Sequence, residues 1–120
     1  MMTNGTTVKQ RDIILIPFPY SDLSQEKKRP AVIISDSEYN THNEDVICCA
    51  ITSNPREYHQ SIEINNQDLD DGSLMFNSRV KPSKIFALNQ SSVIKRLARL
   101  NIPKSKEVVK QLNISIKIEE

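Results

Sequence analysis

A chain of 120 residues, 38% hydrophobic and 26% charged, is long enough to bury the core of one domain and too short for two. The balance excludes a disordered chain, and apolar runs of four or five residues, such as 13–16, are too short to cross a bilayer as a helix. Net charge is only +1, yet nine acids accompany one base between Asp36 and Asp71, and ten bases accompany one acid between Arg79 and Lys117.

The opening residues, MMTNGTTVKQR, lack the apolar core of a signal peptide, so the chain reads as a cytoplasmic protein. Residues 1–10 are expected to be a flexible lead into a single domain spanning 1–120. Asp12–Ile16 is a β-branched run closed by Pro17 and Pro19, which cannot donate to a ladder. Tyr20–Pro30 is polar and aperiodic and reads as a long loop. Ala31–Ser35 and Val46–Thr52 are continuous apolar runs, the pattern of strands buried on both faces. Ser61–Asn65 alternates and predicts a strand with one wet face; Asn66–Ser73, with Asp-Asp-Gly, predicts a turn. Strands are expected at Leu74–Val80 and Lys84–Leu88.

The last third changes period. Val93, Ile94, Leu97 and Ala98 recur at helical spacing behind Ser91 or Ser92 as a cap. Pro103 suits the first turn of a second helix, in which Val108, Val109 and Leu112 share a face. The tail, NISIKIEE, fits either an alternating strand or one more helical turn. Short strands followed by helices predict an α+β domain, mainly β, as a small barrel or two-sheet fold.

Four features carry possible chemistry. In KKRPAVIIS, Arg29 presents a permanently charged fork matched to phosphate oxygens, at a backbone point fixed by Pro30, while Lys27 and Lys28 add positive potential. In Ile51-Thr52-Ser53-Asn54 a buried run ends in two hydroxyls and an amide, which can hold a phosphate or act as ordinary turn formers ahead of Pro55. If Ser78–Lys84 is extended, Arg79, Lys81 and Ser83 lie on one face as a basic stripe. Tyr58 and His59, with Tyr20, are rings in expected loops, available for stacking or serving as partly buried loop anchors. Cys48 and Cys49 are neighbours in a predicted strand, so they point to opposite faces and cannot share one ion. His42 and His59 stand without partners at metal spacing; no metal site and no cofactor are expected.

Taken in order, DIILIPFPYSDLSQEKKRPAVIIS, DVICCAITSN, SIEIN and SLMFNSRVKPSKIFAL resemble the MazF/PemK family of toxin endoribonucleases, from about Asp12 to Leu112. The resemblance implies an SH3-like barrel with appended C-terminal helices, forming a homodimer. It also implies metal-independent cleavage of single-stranded mRNA and a cognate antitoxin whose acidic segment blocks the RNA groove. Carried onto this chain, the family's catalytic arginine and threonine fall on Arg29 and Thr52, with Lys28, Ser53, Arg79, Lys81 and Ser83 as RNA-binding positions. Three positions depart from the family pattern: Arg11 stands where a glycine is usual, and Lys81 and Ser83 replace an arginine and an aspartate of the PemK branch. Glu26 is the nearest counterpart of a loop glutamate that acts in some relatives. The departures leave a second reading, a catalytically silent relative that binds RNA or a protein partner.

Overall fold

β-Branched and apolar runs too short for helices dictate strands, and the computed structural model, which describes residues 8–17, 27–54, 56 and 58–120, is built mainly of them. Among the described residues seven strands form one antiparallel sheet: β1 (Asp12–Pro17), β2 (Lys28–Ile33), β3 (Asp45–Thr52), β4 (Ile62–Ile64), β5 (Leu69–Gly72), β6 (Ser78–Asn89) and β7 (Lys95–Leu100). Their order across the sheet is β4-β6-β3-β2-β1-β7-β5. A short helix α1 (Ser37–His42) joins β2 to β3, and α2 (Ile102–Ser115) follows β7.

The sheet is curled. One apolar cluster contains Ile64 from edge strand β4 and has Leu69 of the other edge, β5, packed against it, so the two edges bend toward a common core. Val108 of α2 completes that core beside Ile13, Val32, Val80 and Leu100. A second cluster, with Ile14, Ile16, Ala31, Ile33 and Val46, fills the opposite face. Each fully buried Val or Ile here contributes about 1.5–3 kcal/mol over leaving it in water. Cys49 belongs to the first cluster and Cys48 to the second, as strand alternation requires. The fold is therefore α+β and mainly β, as expected.

Several boundaries differ from expectation. β2 starts at Lys28, so Lys28, Arg29 and Pro30 lie in the strand; the ladder to β3 begins at Ala31, one residue past a proline with no N–H to give. The expected turn over 66–73 is a 3₁₀ turn (Asn66–Asp68) followed by β5. Gly72 belongs to that strand because a Cβ there would run into the Leu97 carbonyl and Ala98 of β7. The two strands expected at 74–80 and 84–88 are one, β6, whose register against β3 jumps between Lys81 and Ile85. The expected helix around Val93–Ala98 is instead β7, seated between β1 and β5; Ala98 and Leu100 are buried while a bulge at Leu97 spoils the alternation that would have revealed it. So α2 is the single C-terminal helix, with Asn101 as its N-cap and Pro103 in its first turn. The helix takes in Ile114 and Ser115, and residues 117–120 are neither strand nor helix. α1 was not foreseen: Asp36 caps it, but it buries no residue and so shows no apolar period.

Of the lead expected to be flexible, residues 1–7 lie outside the described residues, as do Tyr20 and Glu26 in the expected loop. Val8 is buried in the second cluster, and Gln10 donates to the Ile34 carbonyl at 2.8 Å.

Candidate nucleic-acid interface

The antiparallel registers align the candidates in rows across the sheet. Ile16 lies opposite Arg29, Thr52 opposite Arg79, and Arg79 opposite Glu63. The β2–β3 register pairs Ala31 with Ala50; carried two residues past the ladder's end, it sets Arg29 across from Thr52. Arg29, Thr52, Arg79 and Glu63 thus form one row over β2, β3, β6 and β4, at the end of the face whose interior holds the second cluster. One row inward, Ala31, Ala50 and Lys81 are aligned in the same way. Alternation brings Arg29, Thr52, Arg79 and Lys81 to a shared face.

Other candidates stand apart. Alternation along β2 sends the exposed Lys28 to the face opposite Arg29. Ser53 is exposed just beyond β3, and Ser83 is exposed within the irregular step of β6, between Lys81 and Ile85, so it does not continue the stripe of Arg79 and Lys81.

The loop before β4 braces two of the β6 cations, Arg79 and Lys81. Arg79 Nη1 donates to the Ser61 hydroxyl at 3.1 Å, and that hydroxyl donates to the Tyr58 carbonyl at 2.7 Å. Lys81 Nζ lies 3.7 Å from the centroid of the Tyr58 ring, and Arg56 lies 5.4 Å from it. Such cation–π contacts stabilise by about 0.5–1 kcal/mol at exposed sites. These partners are neutral, while the Glu63 carboxylate lies across the ladder from Arg79. Tyr58, singled out from sequence as a stacking candidate, has Lys81 and Arg56 against its ring. Nothing in the alternation of SIEIN flagged Ser61 as a brace or placed Glu63 beside Arg79.

At the end of β3, Thr52 Oγ1 accepts the Asn54 N–H at 3.2 Å, and Asn54 Oδ1 accepts the Arg56 N–H at 2.8 Å. The hydroxyl and amide therefore shape the turn, while Thr52 retains a hydroxyl proton to donate. Burial pushes the thiols of Cys48 and Cys49 up to about 12, with Cys49 adding to the shift of Cys48, so both stay protonated at neutral pH. Among the described residues no three His, Cys, Asp or Glu side chains gather as a metal site. No helix among the described residues is long and apolar enough to cross a membrane. A groove of about 720 Å³ lies away from the cation row, between α2 and the start of the sheet, beside Ile34, Ile102 and Val109.

The architecture is that of MazF toxins. An endoribonuclease from a mycobacterial species, solved with its cognate antitoxin, superimposes with a TM-score of 0.75 at 14% identity, covering 95% of this chain and 99% of that one. MazF from Deinococcus radiodurans gives 0.73 at 19% identity over 94% and 99%, and its MazE–MazF complex gives 0.72 at 16% over 95% and 99%. Among curated protein sequences none matches the chain. The model of the PemK-like, MazF-like toxins of type II toxin–antitoxin systems matches residues 9–116, and the chain belongs to that family.

Proposed function

We propose that the protein is the toxin of a type II toxin–antitoxin pair and cleaves single-stranded mRNA without a metal ion. The RNA 2′-hydroxyl attacks the adjacent phosphorus, the bond to the 5′-oxygen breaks, and the products carry a 2′,3′-cyclic phosphate and a 5′-hydroxyl. The observation that carries the reading is the row that aligns Arg29 with Thr52 and Arg79 on one face. Arg29 stabilises the charge developing on the phosphorane, and Thr52 positions the scissile phosphate through its hydroxyl proton. Arg79 through its guanidinium fork and Lys81 as a point charge hold flanking phosphates, and Ser53 lies at the margin of the same end. Lys28, on the other face, contributes field rather than contact, and Ser83 is assigned at most an outer phosphate. The protein acts in the cytoplasm as a homodimer, and a cognate antitoxin engages it through an acidic segment.

The deciding experiment incubates purified protein with a long single-stranded RNA in excess chelator and maps the new 5′ ends. Discrete fragments with 5′-hydroxyl ends are expected. Salt-sensitive RNA binding without cleavage would replace this reading by the silent relative. That second reading is favoured by one specific feature, the Lys81 and Ser83 pair, which offers neither a bidentate fork nor a carboxylate base.

A further inference from the structure

The chain has six aromatic rings, three Phe and three Tyr, and no Trp. Phe18 and Tyr20 lie outside the described residues. Tyr39 sits on α1, which follows Ile33 at the end of β2 remote from Arg29. Phe86 packs half-buried against the second cluster. The Tyr58 ring carries the Lys81 ammonium at 3.7 Å. Phe76 is different: it is 63% exposed, beside Met75 at 90%.

Large apolar side chains left in water at a loop tip cost free energy unless something covers them. This loop is not loose. Before the pair, the Leu74 N–H donates to Asn66 Oδ1 at 2.7 Å, and Asn66 opens a 3₁₀ turn closed by a capping box between Asn65 and Asp68. After it, the Phe76 carbonyl accepts the Ser78 hydroxyl at 3.0 Å, at the first residue of β6. Three Cα-to-Cα steps separate Phe76 from Arg79, which limits their Cα separation to about 11 Å. An open ring on a pinned loop is therefore held within a nucleotide or two of the cation row.

We infer that Phe76 is the stacking platform for a base of the single-stranded RNA whose phosphates meet Arg79 and Lys81. This rests on the reading of the site as an RNA interface. Single-stranded nucleic acids are held by cations that track the backbone and aromatic faces that stack the bases, and each stacked base changes affinity by roughly ten-fold or more. The ring makes no hydrogen bond to a base edge, so it favours purines by area and leaves the reading of base identity to polar neighbours.

The test uses oligonucleotides of about ten nucleotides with 2′-O-methyl sugars, which the protein cannot cleave. Because the chain has no tryptophan, Phe76→Trp introduces a single indole reporter. RNA is expected to quench its emission, and Phe76→Ala to weaken binding about ten-fold at unchanged thermal stability, with Phe76→Tyr restoring it. Unquenched emission together with wild-type affinity in Phe76→Ala overturns the inference while leaving the nuclease reading intact. A loss of antitoxin binding alone, with RNA affinity untouched, also overturns it and makes the loop a protein-docking tip. If the wild-type protein binds no RNA, both readings fall together.

Discussion

Around β7 the cations are matched by acids. Arg99 Nε meets the fully buried Asp12 at 3.1 Å, Arg96 meets Asp71 at 2.6 Å, and Arg11 meets Asp70 at 2.8 Å. The hydrogen bond to Asp71 raises the Arg96 pKa still further above its usual value, locking that charge in place. On β6 neutral groups also brace the cations, a hydroxyl at Arg79 and a ring at Lys81, with Glu63 across the ladder from Arg79. A carboxylate spends a cation on structure, whereas a hydroxyl or an aromatic face orients it and leaves its field for an anion from outside. Residue type alone, then, does not tell how a cation is held; its partners do.

The sharpest way to break this contrast is to remove the buried acid. Asp12→Ala removes the buried carboxylate that accepts from both Arg99 Nε and the Lys9 N–H and should cost about 3 kcal/mol in urea unfolding, while the remaining folded protein cleaves RNA normally. Arg29→Ala should do the reverse: at least ~100-fold slower cleavage with a smaller loss of stability than Asp12→Ala. A melted Arg29→Ala, or a stable Asp12→Ala that no longer cuts, would mean the two regions are not separate in role. Tyr58→Leu should lower kcat/KM about five-fold by freeing the Lys81 ammonium to wander, and Tyr58→Phe, which keeps the ring face, should restore it. An equal loss in both variants would exclude the cation–π contact as the cause.

The smallest effect concerns Arg11, whose φ of 78° lies in the left-handed region where a side chain is strained. The structure accounts for the glycine that family resemblance puts there: the backbone before β1 needs a positive φ. Arg11 offsets the strain with its Asp70 ion pair and a 2.8 Å bond to the Leu100 carbonyl. Arg11→Gly should therefore be more stable than Arg11→Ala by about 1 kcal/mol, read as the difference in unfolding free energy. Equal stabilities would show that the strain is not felt.

How far the sequence could be read follows from which forces shaped each segment. β1 and β3 announce themselves as uninterrupted apolar runs and α2 by its helical spacing, with prolines or a cap marking the ends of β1 and α2. β7 misleads because Val93, Leu97, Ile94 and Ala98 fall at helical spacing by coincidence, and pairing with strands on both sides overrides it. The irregular step in β6 hides in the same way, since Pro82-Ser83-Lys84 reads locally as a break although the strand resumes at Ile85. At the site, Arg29 and Thr52 were legible as chemistry, and their alignment was not, because it depends on register between strands about twenty residues apart. The bracing by Ser61 and Tyr58 is a tertiary fact with no local signature.

The adjacent thiols make one further consequence measurable. β3 is a party wall: side by side on it, Cys48 faces one apolar cluster and Cys49 the other. Neither cluster can lose its share of β3 without disturbing the strand that lines its neighbour, so the domain should open as a single unit. Two thiols, one residue apart and both silent in the native state, are then built-in witnesses. They should be trapped by a labelling reagent at the same rate during unfolding.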